Sequence, residues 1–496
     1  MAEGGGDQVP RAVFFRLFPS IAVPMFLAAV DQTIVATALP AIAADLGQVE
    51  RVPWVVVSFL IATSVSAPIY GRLGDAYGRR RMLLGALAML LVGSVLCAFA
   101  QSIETLSAAR AIQGFGGGGL MTLSQALIGE TIPPRQRGRF QGYLAAIFLC
   151  ASTIGPLLGG LLAENFGWRS VFLVNLPLGV LAVLLALRLE KGRAPGGRFG
   201  AVLDLPGVAM FAVAAPAALL GLESLRHPTS SHLITAAVLL PLSVVLVWLL
   251  LKWEARVTAP LLPIALLRKP AVWMADGLAL CHGATMISLI AFLPFYLQVV
   301  RGATPAESGL ILLPMTGGIA VGALIAGRIM SRTGGLMTLP SVGMSCFALG
   351  LFGLAVALPV VPTNWLPVWF AVLSPMLGTV MPAVQTTVQM AAGGAQLGAA
   401  ASSVALARSL GAAVGAALTG TILFAAAALI AGPGGMAAVV TLLESGPAGA
   451  ATLSEQALAV ARVDLASAFR VALAAIGSYA AIAAVLAWRN PQRRVE

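Results

Sequence analysis

The chain has 496 residues, of which 59% are hydrophobic and only 10% are charged. So small a polar fraction cannot coat a water-soluble protein of this size, which excludes a soluble globular protein and places the chain in a lipid bilayer. The formal net charge is +11. A positive net charge can indicate a nucleic-acid partner, so the distribution of the basic residues along the chain has to be considered.

A membrane-spanning helix needs about 20 consecutive, mostly apolar residues. Fourteen windows of this kind follow one another along the chain, at 15–41, 52–72, 82–100, 105–129, 140–163, 168–188, 203–222, 232–251, 271–298, 307–327, 337–358, 364–390, 398–430 and 465–488. The sequence therefore predicts an all-α polytopic membrane protein with fourteen transmembrane helices. The segment 431–464 is predicted to be one long loop. The first span is expected to act as its own insertion signal, without a cleavable signal peptide.

The basic residues predict the orientation of these helices. Fourteen spans, an even number, put both chain ends on the same side of the membrane. Most of the 30 lysines and arginines fall in the connections on that side. The positive-inside rule makes that side cytoplasmic, so both termini are predicted to be cytoplasmic. This distribution accounts for the net charge without a nucleic-acid partner. The bias toward Ala, Gly and Arg favours a bacterial inner membrane as the location.

The cysteines and histidines indicate no metal or redox chemistry. Cys97, Cys150, Cys281 and Cys346 stand singly in apolar windows without CxxC spacing, which is typical of small hydrophobic side chains. The histidines have no HExxH or Cys/His pattern around them. No cofactor and no metal site is therefore predicted. For His282, which lies inside a window, packing or a bond to a neighbouring helix is the preferred interpretation.

The first window, "FLAAVDQTIVATALP" at 26–40, contains one carboxylate, Asp31, roughly fourteen residues from its start. This position is too deep for a short side chain to reach the interface, and the helical neighbours Leu27, Ile34 and Val35 offer no charge partner. Asp31 must then face a cavity or another helix, and a carboxylate removed from water binds protons more readily. We predict that Asp31 carries protons, with a permanently neutral acid bonded to a neighbouring span as the alternative.

Among the further charges within windows, Arg110 and Asp276 are candidate proton-coupling or substrate residues, and Arg408 also falls within a window. Arg110 lies about five residues into the fourth window, where it either faces a central cavity or extends to the outer surface. Asp276 lies about one and a half turns into the ninth window. It either faces the cavity and binds cationic substrates, or is an interfacial acid paired with Arg268 or Lys269.

The organisation of the chain is repeated. "GRLGDAYGRRR" at 71–81 follows the second window, and the similar "GRIMSRTGG" at 327–335 follows the tenth. Internal similarity of this kind is typical of transporter halves. It divides the chain into a first six-helix half, 1–200, an inserted two-helix hairpin, 201–255, and a second six-helix half, 256–496.

The loop at 71–81 has a physical interpretation of its own. Gly71 and Gly78 permit a tight reversal between two spans. Asp75 can contact a helix N-terminus, Arg72 or Arg79, and a rocking motion could make and break that contact. We predict a conformational latch, with a simple topology anchor as the alternative.

"GPLLGG" at 155–160 is the second candidate conformational element. Gly155 and Gly159 form a GxxxG pair that lets two helix backbones approach closely, Gly160 completes the pattern, and Pro156 removes a backbone donor and can bend the span. Generic membrane packing is the alternative, because GxxxG also recurs elsewhere in the chain.

These residues together resemble a known family, the major facilitator superfamily. The segment 71–84 is similar to its hallmark loop, 107–119 to its fourth-span motif and 152–160 to its antiporter motif. The segments 29–40 and 168–179 resemble the 14-span drug/proton antiporter branch of the EmrB/QacA type. The chain departs from the pattern in having Ala151 where the antiporter motif has glycine, and Ser331 where the second loop would have an acid.

The resemblance implies two six-helix halves that alternate access to a central site. It also implies export of hydrophobic, often cationic compounds in exchange for protons, and the protein is expected to work in the bilayer as a monomer. The sequence has no GxxxxGK[ST], so ATP is not expected to supply the energy. A facilitator or importer of a small metabolite on the same fold is the alternative. An intramembrane enzyme is disfavoured because neither GxSxG nor HExxH appears.

Overall fold

The computed structural model describes residues 11–47, 51–190, 204–224, 230–257, 260–261, 264–450 and 453–495. The described residues are helical apart from turns, short links and one isolated antiparallel bridge between Gly335 and Arg494. The helices are α1 (Arg11–Leu46), α2 (Pro53–Tyr77), α3 (Arg79–Ala98), α4 (Ile103–Thr131), α5 (Pro134–Phe166), α6 (Ser170–Leu173), α7 (Asn175–Ala186), α8 (Leu205–Ser224), α9 (Ser230–Glu254), α10 (Ile264–Leu267), α11 (Pro270–Phe295), α12 (Pro305–Thr333), α13 (Thr338–Ala357), α14 (Leu366–Gly378), α15 (Val380–Ala392), α16 (Leu397–Ala450) and α17 (Glu455–Arg489).

Helices occupy all fourteen predicted windows, but only twelve helical segments of the described chain are long and apolar enough to cross a membrane. The fourth window forms α4, which is not among the twelve because Arg110, Gln113 and a run of glycines lower its hydropathy. The sixth window is divided between α6 and α7, and its apolar stretch, Ser170–Ala186, is short. The structure therefore supports a multi-pass membrane protein with twelve candidate spans.

The prediction of a long loop at 431–464 was wrong. Helix α16 continues to Ala450, and α17 begins at Glu455. Gly432 lies inside α16 with a φ of +60°, a conformation that glycine adopts without the steric penalty of other residues. The glycines and the proline of this segment are typical of a loop, but here they lie within one continuous helix.

The two halves have the same helix pairing. In the first half α5 packs on α1 and α4 on α2, and in the second half α16 packs on α11 and α14 on α12. Glycines bring the paired backbones together: a Cβ on Gly118 would lie 2.3 Å from the Thr63 carbonyl oxygen, and one on Gly411 would lie 1.9 Å from the Leu280 carbonyl oxygen. The internal repeat seen in two loop sequences therefore extends to the packing.

The bundle has two ends, which we name after acidic residues. At the Asp75 end lie the α2–α3 link and the N-termini of α5 and α16. The halves approach most closely there, because a Cβ on Gly398 would lie 2.1 Å from the Gly71 oxygen, and one on Gly327 would lie 2.1 Å from the Gly138 oxygen. At the opposite Asp45 end, Asp45 near the end of α1 accepts hydrogen bonds from Trp168 and Arg169.

Helices α8 and α9 pack against each other as a hairpin between the two halves in sequence. Helix α8 also contacts α2 and α16, one helix from each half. Much of α9 is exposed and apolar, with Ile234, Val244 and Trp248 among its exposed side chains. Such a surface suits contact with lipid.

Candidate functional site

Asp31 lies at the centre of a buried polar cluster in the first half. Its side chain is 0% exposed and accepts hydrogen bonds from two helices. From α4, Arg110 Nη1 donates to Oδ2 at 2.7 Å and Gln113 Nε2 donates to Oδ1 at 2.7 Å. From α7, Asn175 Nδ2 donates to Oδ1 at 2.5 Å. Asp31 has no charge partner among its neighbours along α1, and Arg110 of α4 supplies one.

Arg110 is fully enclosed, with 1% of its side chain exposed. Besides Asp31 it donates to Gln113 Oε1 at 2.7 Å and to the Val55 carbonyl oxygen at 3.3 Å, and its guanidinium lies 4.0 Å from the ring centre of Phe59. The alternative in which Arg110 extends to the membrane surface is therefore not what the structure shows. An ion pair removed from water in this way needs such additional bonds to offset its desolvation.

Two of the residues that complete the cluster were missed from the sequence. Ser94 Oγ of α3 accepts from Gln113 Nε2 at 2.8 Å and from Asn175 Nδ2 at 3.2 Å. Asn175 had a signal, since it is an amide in the otherwise apolar "VFLVNLPLG", but serines recur in many spans and Ser94 had none. Gln113 was noted only as part of the fourth-span motif.

The cluster offers Asp31 donors only. If either carboxylate oxygen took up a proton, its O–H would point at an N–H of Arg110, Gln113 or Asn175, so at least one of these contacts would have to break. A permanently neutral Asp31 would need an acceptor beside it, which rotation of the Asn175 amide could supply because Asn175 Oδ1 is buried without a hydrogen-bond partner, so this alternative stays a prediction. What the arrangement can do chemically is link a proton on Asp31 to a displacement of α4 or α7 relative to α1.

Asp75 joins the two halves at the Asp75 end. Its carboxylate accepts from the backbone N–H of Gly398 at 3.0 Å and of Ala399 at 3.3 Å, in the first turn of α16. It also accepts from Arg79 Nη2 at 2.7 Å, and Arg79 Nη1 pairs with Glu130 at 2.6 Å. The first N–H groups of a helix have no partner within it and carry a partial positive charge, so a carboxylate there satisfies both.

The corresponding loop of the second half makes no such contact. Ser331, the counterpart of Asp75, donates to the Arg328 carbonyl oxygen of its own turn at 2.8 Å. Gly78 and Gly334 keep equivalent roles, because both end their helices with a positive φ, of +93° and +70°. Of the two loops, only the first therefore has a charged contact with the opposite half.

The glycines at 155–160 pack α5 against the turn of α1 that follows Asp31. A Cβ on Gly155 would lie 2.1 Å from Thr33 Oγ1, and one on Gly159 would lie 2.2 Å from the Ile34 carbonyl oxygen. A Cβ on Gly160 would meet open space. Pro156 lies inside α5 without ending it. Two of the three glycines are thus required by the approach of α5 to the Asp31 segment.

A cavity of about 180 Å³ lies between the halves. Its walls are the methionines Met25, Met121, Met286 and Met381, other apolar residues that include Leu144, Phe148 and Ile319, the polar residues Thr122, Gln125, Gln141 and Gln385, and the basic residues His282 and Arg408. Asp31, Arg110 and Asp276 are not part of these walls. Met25 is six residues from Asp31, which corresponds to about 9 Å along α1. In this conformation Asp31 thus faces other helices, one of its two predicted settings, and Arg110 does not reach the cavity.

Asp276 has one polar contact, which comes from the second half. Ser403 Oγ of α16 donates to Asp276 Oδ1 at 3.4 Å. The alternative pairing with Arg268 or Lys269 is not found, because Lys269 Nζ donates to the Ala391 carbonyl oxygen at 2.7 Å and no ion pair of Asp276 occurs among the described residues. Asp276, on α11, thus faces α16, and both helices also contribute residues to the cavity walls.

The four cysteines are unpaired. Cys97 belongs to the Asp31 cluster, where its thiol lies 3.5 Å from Gln113 Oε1. Within the ranges that the structure describes, no group of His, Cys, Asp and Glu side chains could hold a metal ion.

The sequence profile of the Major Facilitator Superfamily matches residues 21–416 of this chain. An MFS-type efflux pump of a Fusarium species is 32% identical over 351 residues, which cover 69% of this chain and 62% of that protein. Multidrug resistance protein 3 of Bacillus subtilis is 31% identical over 348 residues, covering 70% of this chain and 67% of that protein. An uncharacterized MFS-type transporter of Mycobacterium tuberculosis is 35% identical over 339 residues, covering 67% of this chain and 48% of that protein. The matches thus span between about half and two thirds of these relatives.

Solved structures with the same fold have low sequence identity. A bacterial homologue of the iron transporter ferroportin, in its outward-facing state, has a TM-score of 0.62 at 13% identity and covers 96% of this chain and 100% of its own. A proton:xylose symporter has a TM-score of 0.59 at 15% identity, with 97% of both chains covered. Likenesses at this identity concern the fold alone.

Proposed function

Since the chain belongs to the Major Facilitator Superfamily, we propose that it is a proton-coupled exporter of hydrophobic compounds that works by alternating access. The family and the fold are those of a transporter rather than an enzyme. The observation that carries the proposal is the ion pair of Asp31 and Arg110, with an N–O distance of 2.7 Å and almost no exposure of either side chain. An acid and a base retained inside a membrane protein at this desolvation cost mark a functional site.

Proton exchange at Asp31 is the proposed coupling step. Proton uptake removes the negative charge that holds Arg110, and the new O–H would point at an N–H of Arg110, Gln113 or Asn175, so the cluster would rearrange. Asp31 lies on α1, and Arg110 and Gln113 lie on α4, so the rearrangement changes how these helices pack. The packing of Gly155 and Gly159 on α1 would transmit the change to α5, which also contacts the second half through α12.

The Asp75 contact is the proposed latch of the closed state. It joins α2 to the first turn of α16 at the end where the halves approach most closely. We propose that this end faces the cytoplasm, because the basic connections lie there and positive residues stay inside. The described conformation is then closed to the cytoplasm, and breaking the contact of Asp75 with Gly398 and Ala399 would be required to open it.

The same topology gives the proposed arrangement in the cell membrane. The chain begins α1 at the Asp75 end and returns to it after α17, where the Val495 N–H donates to the Gly334 carbonyl oxygen at 2.8 Å. Fourteen spans, including α4 and the divided α6–α7 segment, and two cytoplasmic termini are consistent with this. We propose that one chain works as a monomer, since helices of both its halves enclose the cavity.

Efflux rather than uptake is proposed from the relatives, of which two are named as an efflux pump and a multidrug resistance protein. The cavity suits compounds of varied shape because four methionines line it, and flexible thioether side chains adapt to irregular apolar surfaces. Hydrophobic compounds are therefore the proposed substrates, and drug resistance is the expected phenotype.

The test uses everted membrane vesicles that hold a proton gradient. A panel of hydrophobic cations, neutral compounds and anions is added, and the wild-type protein is expected to dissipate the gradient with at least one of them. Asp31→Asn should abolish this response. Asp45→Asn, the same change near the end of the same helix where the side chain is 48% exposed, should leave it intact. A full response from Asp31→Asn at equal expression would contradict the proposal.

A further inference from the structure

Arg408 differs from the two buried arginines, Arg79 and Arg110, in having no counter-charge. It lies on α16 and lines the cavity between the halves. Among the described residues, no carboxylate pairs with the Arg408 guanidinium and no side chain or backbone group forms a hydrogen bond with it. Arg110, by contrast, bonds Asp31, Gln113 and Val55. A guanidinium that lines a mainly apolar cavity without a partner gains most from a negative group that enters the cavity beside it.

Two neighbouring side chains are likewise unsatisfied. His282 of α11 is 3% exposed, lines the same cavity and has a buried Nδ1 without a hydrogen bond. The side-chain oxygen of Gln385, on α15, is also buried and without a partner. Of the two interpretations of His282 from the sequence, packing and a bond to a neighbouring helix, the structure shows the buried side chain without such a bond at Nδ1. Arg408, His282 and Gln385 come from three helices of the second half and converge on one space.

Apart from Thr122, Gln125 and Gln141, the rest of the cavity is apolar, and it contains no acid. Met25, Met121 and Phe148 of the first half face the polar group, with Met286 beside it. No aspartate or glutamate belongs to the walls. The nearest acid along α11, Asp276, lies six residues before His282, bonds Ser403 and has no ion pair with Arg408. The charge at the cavity surface is therefore positive, opposite to what would attract a cation.

From this arrangement we propose that the cavity binds amphipathic anions: the carboxylate or similar head group pairs with Arg408, and the hydrophobic body contacts the methionines and Phe148. This proposal rests on the proposed function in taking the cavity as the substrate site, and it revises the expectation of cationic substrates. The planar guanidinium matches a carboxylate through two parallel N–H···O bonds. His282 and Gln385 can orient the same group through additional hydrogen bonds.

The experiment compares three probes that share one aromatic body, naphthoate, naphthamide and naphthylmethylammonium. Their binding to the purified full-length protein in lipid nanodiscs is measured by titration calorimetry, and titrations of empty nanodiscs are subtracted. The wild-type protein should bind naphthoate about tenfold or more tightly than naphthylmethylammonium, because a desolvated charge pair is gained with one and a like-charge contact is met with the other. Naphthamide should fall between them.

Arg408→Gln should weaken naphthoate binding by about tenfold or more and remove the preference for the anion. Arg408→Lys keeps the charge but loses the planar fork, so it should keep the order of the three probes with weaker naphthoate binding. Met25→Leu, a change of similar volume in the same cavity, is the matched control and should affect the three probes alike.

The proposal is overturned if the wild-type protein binds no naphthoate, if it binds the cation as tightly as the anion, or if Arg408→Gln keeps the full preference. If Arg408→Gln does not fold, the order of the probes in the wild type and in Arg408→Lys decides. Proton coupling plays no part in this titration, so Asp31→Asn should bind naphthoate like the wild type. Failure of the proposed function would therefore leave the titration intact, and failure of this inference would leave the vesicle response intact.

Discussion

Replacing Asp75 by Asn should open the protein at the Asp75 end. The side chains of Asp75 and Arg79 are only 5% and 7% exposed, so their ion pair and the two N–H bonds from α16 are poorly screened by water. An asparagine retains one acceptor but loses the charge, and bonds to charged groups are worth about 1.5 to 3 kcal/mol each. Taking about 2 kcal/mol as the net loss, the open population should rise about 30-fold.

Ala126 provides a reporter of this opening. It is fully buried and packs with Leu397 and Ala401 of α16, across the contact between the halves at this end. With the native cysteines replaced by alanine, Ala126→Cys should react slowly with a membrane-permeant maleimide in the closed state. When closing is faster than labelling, the rate is proportional to the open population, so Asp75→Asn should accelerate labelling by the same factor, about 30-fold.

Asp45→Asn is the matched control, since it removes an exposed ion pair at the opposite end, which water screens strongly. Asp45→Asn should leave the labelling rate of Ala126→Cys nearly unchanged. An unchanged rate in Asp75→Asn, or equal acceleration by both substitutions, would refute the reasoning that Asp75 holds the halves together.

Three further substitutions test neighbouring parts of the account. Gly159→Ala should lower the melting temperature and transport, since overpacking costs about 1 to 3 kcal/mol, while Gly160→Ala should do neither. Asp276→Asn should leave the order of the three naphthyl probes unchanged, because Asp276 is not part of the cavity walls, and a loss confined to naphthylmethylammonium would instead assign Asp276 to cation binding. Glu130→Gln should accelerate the Ala126→Cys reporter much less than Asp75→Asn, because Glu130 is 39% exposed and water screens its bond to Arg79.

The sequence could identify the charged residues of the site because a charge stands out in an apolar window. Asp31 and Arg110 were found in this way, although they are 79 residues apart and nothing in the sequence joined them. Asp75 was found from its loop motif, and its contact with a helix N-terminus was one of the predicted alternatives. Which helix would supply that N-terminus depends on how the halves pack.

Neutral polar residues and the cavity could not be predicted in the same way. Ser94 resembles the many serines that satisfy their own helix, and only the packing of α3 and α7 against α4 gives it partners. His282 and Arg408 become neighbours through the packing of α11 on α16, where Gly283 approaches the Arg408 backbone. Each looked like an isolated polar residue until that packing was known.

The helical segment beyond Gly432 shows a different limit. Glycine and proline are the strongest local signals for a break. Here the helix continues to Ala450, and Val439 and Leu442 are buried in the core of the second half. Tertiary burial of these apolar side chains outweighs the local preference, which a window of sequence cannot register.

The central claim is that substrate movement is coupled to protons through Asp31. The most direct measurement uses the purified protein in proteoliposomes with an imposed pH gradient, and follows a labelled compound chosen from those active in the vesicle panel. The account predicts that the gradient drives this compound against its concentration, opposite to the proton flow, in the wild type and in Asp45→Asn but not in Asp31→Asn. Equilibration of the compound at the same rate with and without the gradient would contradict the account and identify a facilitator instead.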